Sequence, residues 1–326
     1  MNIAVIGGAG FIGSHAVKLL IERGHQVLAV DNLANGHLRA VDKRATFLVC
    51  DCSNTAGLAA AFQKHRVEAV MHFAASAYVG ESVTDPRKYY RNNVSNTVSM
   101  LDAMHLTGIK KLVFSSTCAT YGEPQSVPIT ENLPQNPISP YGQSKLMVEK
   151  ILLDCAQAEG LAFAAPRYFN VAGAALDGSI GEDHRPETHL IPIVLQVALG
   201  QRSHVDIFGT DYPTPDGTCI RDYIHVWDLV EAHLALLEKL QPGKGMFYNL
   251  GVGKGYSVRE IIKACEKVTG KNIPTRESPR RPGDPPALFA SPDKIMREIG
   301  WKARITDLEQ IVASAWAWYK AHPNGY

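Results

Sequence analysis

The stretch NIAVIGGAGFIGSH, residues 2–15, limits the fold more than any other part of this chain. A short apolar run leads into Gly8-x-Gly10-x-x-Gly13, Gly7 adds an overlapping pattern, and a helical segment follows at once. Glycines at that spacing let the backbone turn tightly after a strand and approach a pyrophosphate held at a helix N-terminus. Strand, glycine turn and helix in that order open a βαβ unit, so a parallel sheet is expected. Asp31 ends the next apolar run, 18 residues beyond Gly13. A carboxylate there accepts a hydrogen bond from the ribose 2′-hydroxyl of NAD and repels the 2′-phosphate of NADP. Asp51, after the third apolar run, is placed for the adenine end.

The rest of the first half repeats the alternation. Strands are expected at Ile3–Ile6, Val27–Asp31, Thr46–Cys50, Ala69–Phe73, Leu112–Ser116 and Phe163–Tyr168. Helices are expected at Phe11–Arg23, Thr55–His65, Pro86–Thr107 and Pro140–Glu159. Connections too long for hairpins imply right-handed crossovers, and continuous apolar runs such as IAVI and KLVF imply strands buried on both faces. After about residue 170 glycine and proline become frequent, and helical patterns return at Trp227–Leu240, Val258–Thr269 and Asp307–Ala321. The expected architecture is α/β. A Rossmann-type doubly wound parallel sheet covers residues 1–170, with later segments returning to it, and a smaller C-terminal α/β lobe for substrate covers 171–326.

Composition excludes several function classes. A net charge of +1 over 326 residues gives no field to recruit nucleic acid or an anionic membrane. The start lacks a basic segment followed by a long apolar run, and no stretch approaches the ~18 apolar residues that span a bilayer. Six cysteines, at 50, 52, 118, 155, 219 and 265, are scattered, as reduced thiols of a cytoplasmic protein would be. Cys50-Asp51-Cys52 has no second Cys/His pair at ligand spacing, so no metal is expected.

Two short stretches carry candidate chemistry. FSSTCATYG, residues 114–122, ends the fifth strand in a cluster of hydroxyls at the edge where open α/β sheets bind ligands. SPYGQSK, residues 139–145, places Tyr141 and Lys145 four apart, on one face of a helix. An ammonium near a phenol favours the phenolate. Lowering a phenol by ~3 units needs about 4 kcal/mol, roughly what a charge ~4 Å away supplies at an effective dielectric near 20. A Thr/Tyr/Lys set is the resulting candidate.

GGAGFIG, Asp31, SSTCATYG and YGQSK together resemble the extended short-chain dehydrogenase/reductase family. HFAASAYVGESV, YYRNNV, SPYGQSKLMVE, RYFNVAG, DYPTPDGTCIRDYIHVWDL, YNLGVGKGYSV and RRPGDPPALFAS narrow the resemblance to its UDP-glucose 4-epimerase branch, end to end. That resemblance implies an NAD-dependent isomerase, a homodimer, that interconverts UDP-glucose and UDP-galactose by transient oxidation at C4. It makes Tyr141 the base, Lys145 its neighbour and holder of the nicotinamide ribose, and Thr117 the hydroxyl that orients the reacting oxygen. For NAD it implies Gly7, Gly10, Phe11, Ile12, Gly13, Asp31, Asn32, Asn35, Gly36, Asp51 and Cys52, then Phe73, Ala74, Ala75, Ser76 and Asn93, and finally Ser115, Tyr141, Lys145, Tyr168 and Phe169. For the UDP-sugar it implies Thr117, Tyr141, Asn170, His189 and Leu190, with Asp206, Ile207 and Phe208 at the uracil, Arg221 and Arg281 at the pyrophosphate, and Asp284 at a ribose hydroxyl.

Three departures from relatives carry consequences. Thr117 stands where many have serine, and keeps the hydroxyl on a stiffer χ1. Ala77 replaces a cofactor-binding lysine found in some. Leu288 occupies the position where a bulky aromatic excludes an N-acetyl group at C2, so weak activity at most is expected on N-acetylated sugars. Cys118 and Ala119 replace the acidic pair of related dehydratases, which argues against loss of water. UDP-pentoses and UDP-uronic acids stay open as substrates, and a non-catalytic NAD sensor is the remote alternative. Val94, Val98 and Leu101, with Met147, Ile151 and Cys155, give two helices an apolar face for a subunit contact or for the sheet.

Overall fold

A computed structural model describes every residue except 282 and 283. In chain order the first half contains β1 (Asn2–Ile6), α1 (Phe11–Glu22), β2 (Gln26–Asp31), β3 (Thr46–Val49), α2 (Thr55–Lys64), β4 (Ala69–His72), α3 (Val79–Thr84), α4 (Pro86–Tyr89), α5 (Asn96–Leu106), β5 (Lys111–Phe114), β6 (Ser116–Thr117), α6 (Pro140–Glu159) and β7 (Ala162–Tyr168). The second half contains β8 (Asn170–Ala172), α7 (Leu190–Ala198), β9 (Val205–Phe208), β10 (Ile220–His225), α8 (Val226–Glu238), β11 (Gly245–Leu250), β12 (Gly255–Ser257), α9 (Val258–Thr269), β13 (Thr275–Ser278), β14 (Ala287–Leu288), α10 (Asp293–Ile299) and α11 (Leu308–Ala321).

The large sheet runs β11-β7-β5-β4-β1-β2-β3, all parallel, with β6 extending beside β7. Its strands are apolar without alternation because helices cover both faces. Leu58 and Phe62 of α2, Met100 and Met104 of α5, and Val148 and Leu152 of α6 fill one face. Val17 and Leu20 of α1, with Val230 and Leu234 of α8, fill the other. This is the Rossmann-type doubly wound fold. Strand order reverses between β1 and β4, so the loops after these strands flank a crevice at the carboxyl edge.

The second lobe is built on β12-β10-β14, with β8 beside β10. Helices α7, α9 and α11 enclose its core around Ile191, Ile261, Ile311 and Trp318. The pair β9 and β13 stands apart as a two-stranded parallel ribbon. Helix α8 and strand β11, both beyond residue 170, belong to the first sheet. α10 packs behind β11 through Ile295.

The expected helix over Pro86–Thr107 runs without interruption to Leu106 but widens in its middle. Between α4 and α5 the chain makes a π-helical turn over Tyr90–Ser95, which brings Asn92 and Asn93 toward the crevice, where both bond to Ser76. A local widening of this kind leaves hydrophobic periodicity nearly unchanged, so the pattern does not reveal it. The mixed face of α5 and α6 also resolves: Val94, Leu101 and Cys155 pack on the sheet's core, whereas Val98 and Met147 are exposed.

Candidate active site

The glycine turn is shaped so that only glycine fits. Gly7 has φ +81°, and a Cβ there would lie 2.6 Å from the amide nitrogen of Ala74 in the loop after β4. At Gly13 a Cβ would stand 1.9 Å from the carbonyl oxygen of Gly7. Helix α1 therefore starts hard against the turn. Its N-cap, Gly10, offers no side-chain acceptor, so the first-turn N–H groups around Phe11 and Ile12 stay open to an anion.

Asp31 sits at the end of β2 and accepts from the amides of Ala9 (3.0 Å) and Leu33 (2.8 Å), one on each oxygen. Each oxygen keeps a second lone pair for a ribose hydroxyl. The loop carrying Asn32, Asn35 and Gly36 folds back here, and a Cβ on Gly36 would meet Ala9 at 2.9 Å. Asp51 accepts from the Asn32 amide at 2.7 Å and from Ser53, while Cys52 packs against the core beneath. Across the crevice, Asn93 is buried and grips Ser76 by both backbone atoms, accepting from its N–H (2.8 Å) and donating to its carbonyl (3.0 Å). That clamp fixes the segment Phe73, Ala74, Ala75 and Ser76 along the crevice wall.

Lys145 and Tyr141 project from the first turns of α6, which Ser139 caps by accepting from Gly142 N–H. Lys145 is 3% exposed, with its Nζ over the Phe114 ring and one N–H donated to the carbonyl of Ser115 at 2.8 Å. Burial lowers its pKa to about 7. Two of its three donors have no partner among the described residues. A buried ammonium with spare donors beside a glycine cradle fits the ribose hydroxyls and charge of NAD. Together with the free helix end and the Asp31 carboxylate, it makes the crevice fit that cofactor.

Tyr141 departs from the expected electrostatics. Burial is the largest influence and pushes its pKa up, the nearby Tyr168 adds to the rise, and the Thr117 hydroxyl draws it down. The Lys145 ammonium is directed at the Ser115 carbonyl and the Phe114 ring. The protein's own groups therefore hold the phenol protonated. The reasoning from spacing counted the Coulomb gain and omitted desolvation. Thr117 is buried on β6, its Oγ1 accepting from Ala119 N–H at 3.2 Å. Tyr168 shares a hydrogen bond with Ser115, and Phe169 is buried beside it in the chain.

Sequence reasoning missed the polar network behind these groups. Glu149, one turn beyond Lys145, accepts from Ser116 Oγ (2.5 Å), Arg167 Nε (2.9 Å) and Nη2 (2.7 Å), and Gln135 (2.9 Å). Arg167 also donates to the Tyr121 hydroxyl, which donates to Asn249 of β11. Partners up to 128 positions apart leave no local pattern to find.

At the other end, Arg221 of β10 is paired with Asp284 and donates to the Pro285 carbonyl at 2.8 Å. The Arg281 guanidinium lies 4.0 Å over the Phe208 ring, and the two residues between Arg281 and Asp284 are outside the described ones. Asp206 accepts from Arg276 and Ser278. Strand β9, which carries Asp206, Ile207 and Phe208, has β13 as its one strand neighbour among the described residues, leaving an open backbone edge. Asn170 begins β8, opposite Tyr223. Leu288 packs in a small cluster with Cys118, Tyr121 and Phe169, beside the end of β6. His189, at the N-cap of α7 before Leu190, turns its Nδ1 to Glu182 (3.0 Å) and Glu187 (2.8 Å).

Residues 3–251 match the family model described as the NAD dependent epimerase/dehydratase family. The chain is 51% identical to a UDP-glucose 4-epimerase of Lacticaseibacillus casei over 327 residues, 100% of this chain and 99% of that one. A crystal structure of a UDP-glucose 4-epimerase, also 51% identical, superposes with a TM-score of 0.97 over 100% of this chain and 99% of the other. The Bifidobacterium longum UDP-glucose 4-epimerase, solved with NAD+ and UDP, is 40% identical with a TM-score of 0.96 over the full length of both chains.

Proposed function

The chain belongs to the NAD-dependent epimerase/dehydratase family, and from that premise we propose that it interconverts UDP-glucose and UDP-galactose at C4. The observation that carries the reading is the gathering of Thr117, Tyr141 and Lys145 at the carboxyl edge of the sheet, beside a glycine cradle that fits NAD. An unactivated C4–H cannot be removed as a proton by any side chain, so inversion there requires oxidation first. Bound NAD supplies the positive charge that favours a phenolate and the reversible uptake of hydride from C4.

Tyr141 takes the 4-hydroxyl proton as oxidation proceeds and gives it back on return. Thr117 holds the reacting oxygen, and Lys145 spends its spare donors on the nicotinamide ribose. Glycine-turn residues 7, 10 and 13 with Asp31, Asn32, Asn35, Gly36, Asp51 and Cys52 hold the nucleotide half of the cofactor. The oxidised sugar has to present both faces, so the grip belongs on the UDP half. Arg221 and Arg281 supply it at the pyrophosphate, Asp284 at a ribose, and the open edge of β9 at the base. Residues 1–170 with α8 and β11 form the NAD-binding unit, and most of 171–326 forms the sugar lobe.

Two chains pair through α5 and α6, where Val98, Met147 and Leu153 are exposed apolar side chains. All six cysteines are free, as fits the cytoplasm, and among the described residues no helix is long and apolar enough to cross a membrane.

Incubation with UDP-galactose tests the activity, with UDP-glucose as the expected product and no net change in NAD. Leu288, intermediate in bulk, should disfavour UDP-N-acetylglucosamine by about 10-fold or more in kcat/KM. Equal values for both sugars would remove that role for Leu288. A panel including UDP-pentoses and UDP-uronic acids ranks the rest.

A further inference from the structure

The loop between β8 and α7 contains a second constellation, Glu182-x-His184-x-x-Glu187-x-His189. Both carboxylates are buried, Glu182 at 4% and Glu187 at 6% exposed. One ligand atom from each of the four residues lies within 4.8 Å of all the others. His184 Nδ1 is 3.1 Å from Glu182 Oε1 and 3.7 Å from Glu187 Oε2. His189 Nδ1 is 3.0 Å from Glu182 Oε1 and 2.8 Å from Glu187 Oε1.

Ion pairing among the four leaves two buried atoms without a hydrogen bond. An imidazolium Nδ1 has one N–H and can aim it at one acceptor. His184 Nδ1 makes no hydrogen bond despite its two near carboxylates, and Glu187 Oε2 is buried with no partner. The other oxygen of Glu187 is held by the backbone N–H groups of Thr188 and His189, which fixes the free one in place. One nitrogen or oxygen of each of the four residues therefore faces the same small volume. Donor atoms about 3.3 Å apart are what a tetrahedral ion with bonds of 2.0–2.1 Å needs, and among Glu182 Oε1, His184 Nδ1, Glu187 Oε2 and His189 Nδ1 the spacings of 3.0, 3.1 and 3.7 Å bracket that value. Two carboxylates and two neutral imidazoles also balance a dication, removing the cost of burying unpaired charge.

We propose that Glu182, His184, Glu187 and His189 form a structural zinc site. Four protein ligands close the coordination shell, and a nitrogen–oxygen donor set without thiolate suits Zn2+. The site would pin the loop of the second lobe against the first. The His184 ring stands 6.4 Å from Phe11, at the start of α1, and 6.4 Å from Tyr78. Sequence reasoning passed over the motif because it sought paired cysteines and because His189 had been set aside for substrate.

The test uses untagged, chelator-dialysed full-length protein titrated with Zn2+ or Co2+ alone. One equivalent should bind. Zn2+ at about 100 times its Kd should raise the Tm by roughly 5 °C. Co2+ should give the intense visible bands of a tetrahedral site, without a thiolate charge-transfer band. Glu187→Gln and His184→Asn should each abolish the bands. A Tm unmoved by either metal in the wild-type protein would overturn the proposal, as would a thiolate-type cobalt spectrum. So would cobalt bands that persist in Glu187→Gln. The wild-type spectrum decides even where a variant fails to fold.

Discussion

At the scale of single residues, the Tyr141 phenol carries the proposed chemistry, although the folded chain by itself raises its pKa. Its base strength therefore belongs to the loaded site, and removing the hydroxyl should separate chemistry from cofactor binding. Tyr141→Phe is expected to lower kcat by about 10²–10⁴-fold while the purified variant keeps NAD at wild-type stoichiometry. Wild-type turnover in that variant would displace Tyr141 as the base. Gly13 makes the opposite case, a residue that matters for having nothing beyond its backbone. A methyl group there would sit 1.9 Å from the Gly7 oxygen, against the backbone of Gly7 and Gly8 and with no flexible side chain to move. Gly13→Ala should cost about 3 kcal/mol or more and should release NAD, read by thermal melting and by cofactor content. A variant that melts and binds like the parent would mean that the turn has a slack conformation.

At the scale of elements, the alignment of the proposed catalytic groups depends on how α6 is registered against β6 and β7. Glu149 on α6 ties Ser116 on β6 to Arg167 on β7, and Thr117 and Tyr168 are their chain neighbours. Removing one partner strands a buried charge. Glu149→Ala should therefore cost about 3–5 kcal/mol in denaturant unfolding. The double change Glu149→Leu with Arg167→Met should recover most of that stability but not kcat, because the helix loses its polar registration. Full kcat in the double variant would reduce the network to packing. This network was illegible in the sequence, for its members are spread over α6, three strands and the chain between β6 and α6. The six expected strands and the glycine turn were legible, because runs such as IAVI and KLVF and the spacing of Gly8, Gly10 and Gly13 are local facts of the chain. Strand β11 was not, since GMFYNL begins with and is followed by glycine and becomes a strand by pairing with β7, some 80 residues earlier. The direction of the Tyr141 shift was lost for the same reason, since burial is set by tertiary packing.

At the scale of the whole molecule, three buried histidines make the first lobe sensitive to acid. His15 on α1, His72 at the end of β4 and His233 on α8 each make one hydrogen bond, to the Phe11 carbonyl, the Thr97 hydroxyl and the Leu229 carbonyl. The second nitrogen of each is buried without a partner. Protonation would bury an N–H against nothing. Burial accordingly lowers their pKa values to about 4, 3 and 4, from 6.5 in the unfolded chain. Above pH 6.5 both states are neutral at these sites and no penalty arises. Below it the unfolded chain binds more protons, so stability falls as pH drops, by about 2 kcal/mol per histidine at pH 5. Asp222, raised to about 6 by burial, acts in the other direction: between its unfolded value near 3.8 and 6 the folded state binds the extra proton. It offsets part of the loss and leaves the net slope destabilising toward acid. His72 ends a strand of the sheet that carries the cofactor crevice, and His233 lies ring-to-ring 5.0 Å from Phe73 on the crevice wall. Acid unfolding should therefore release NAD along with the loss of near-UV dichroism, between pH 6 and 5. His233→Asn retains a donor for the Leu229 carbonyl and removes one titrating site, so its stability should fall less steeply with acid, the slope dropping by about one proton. If the variant and the parent lose stability at the same slope over that interval, the buried imidazoles are not what makes the fold acid-labile.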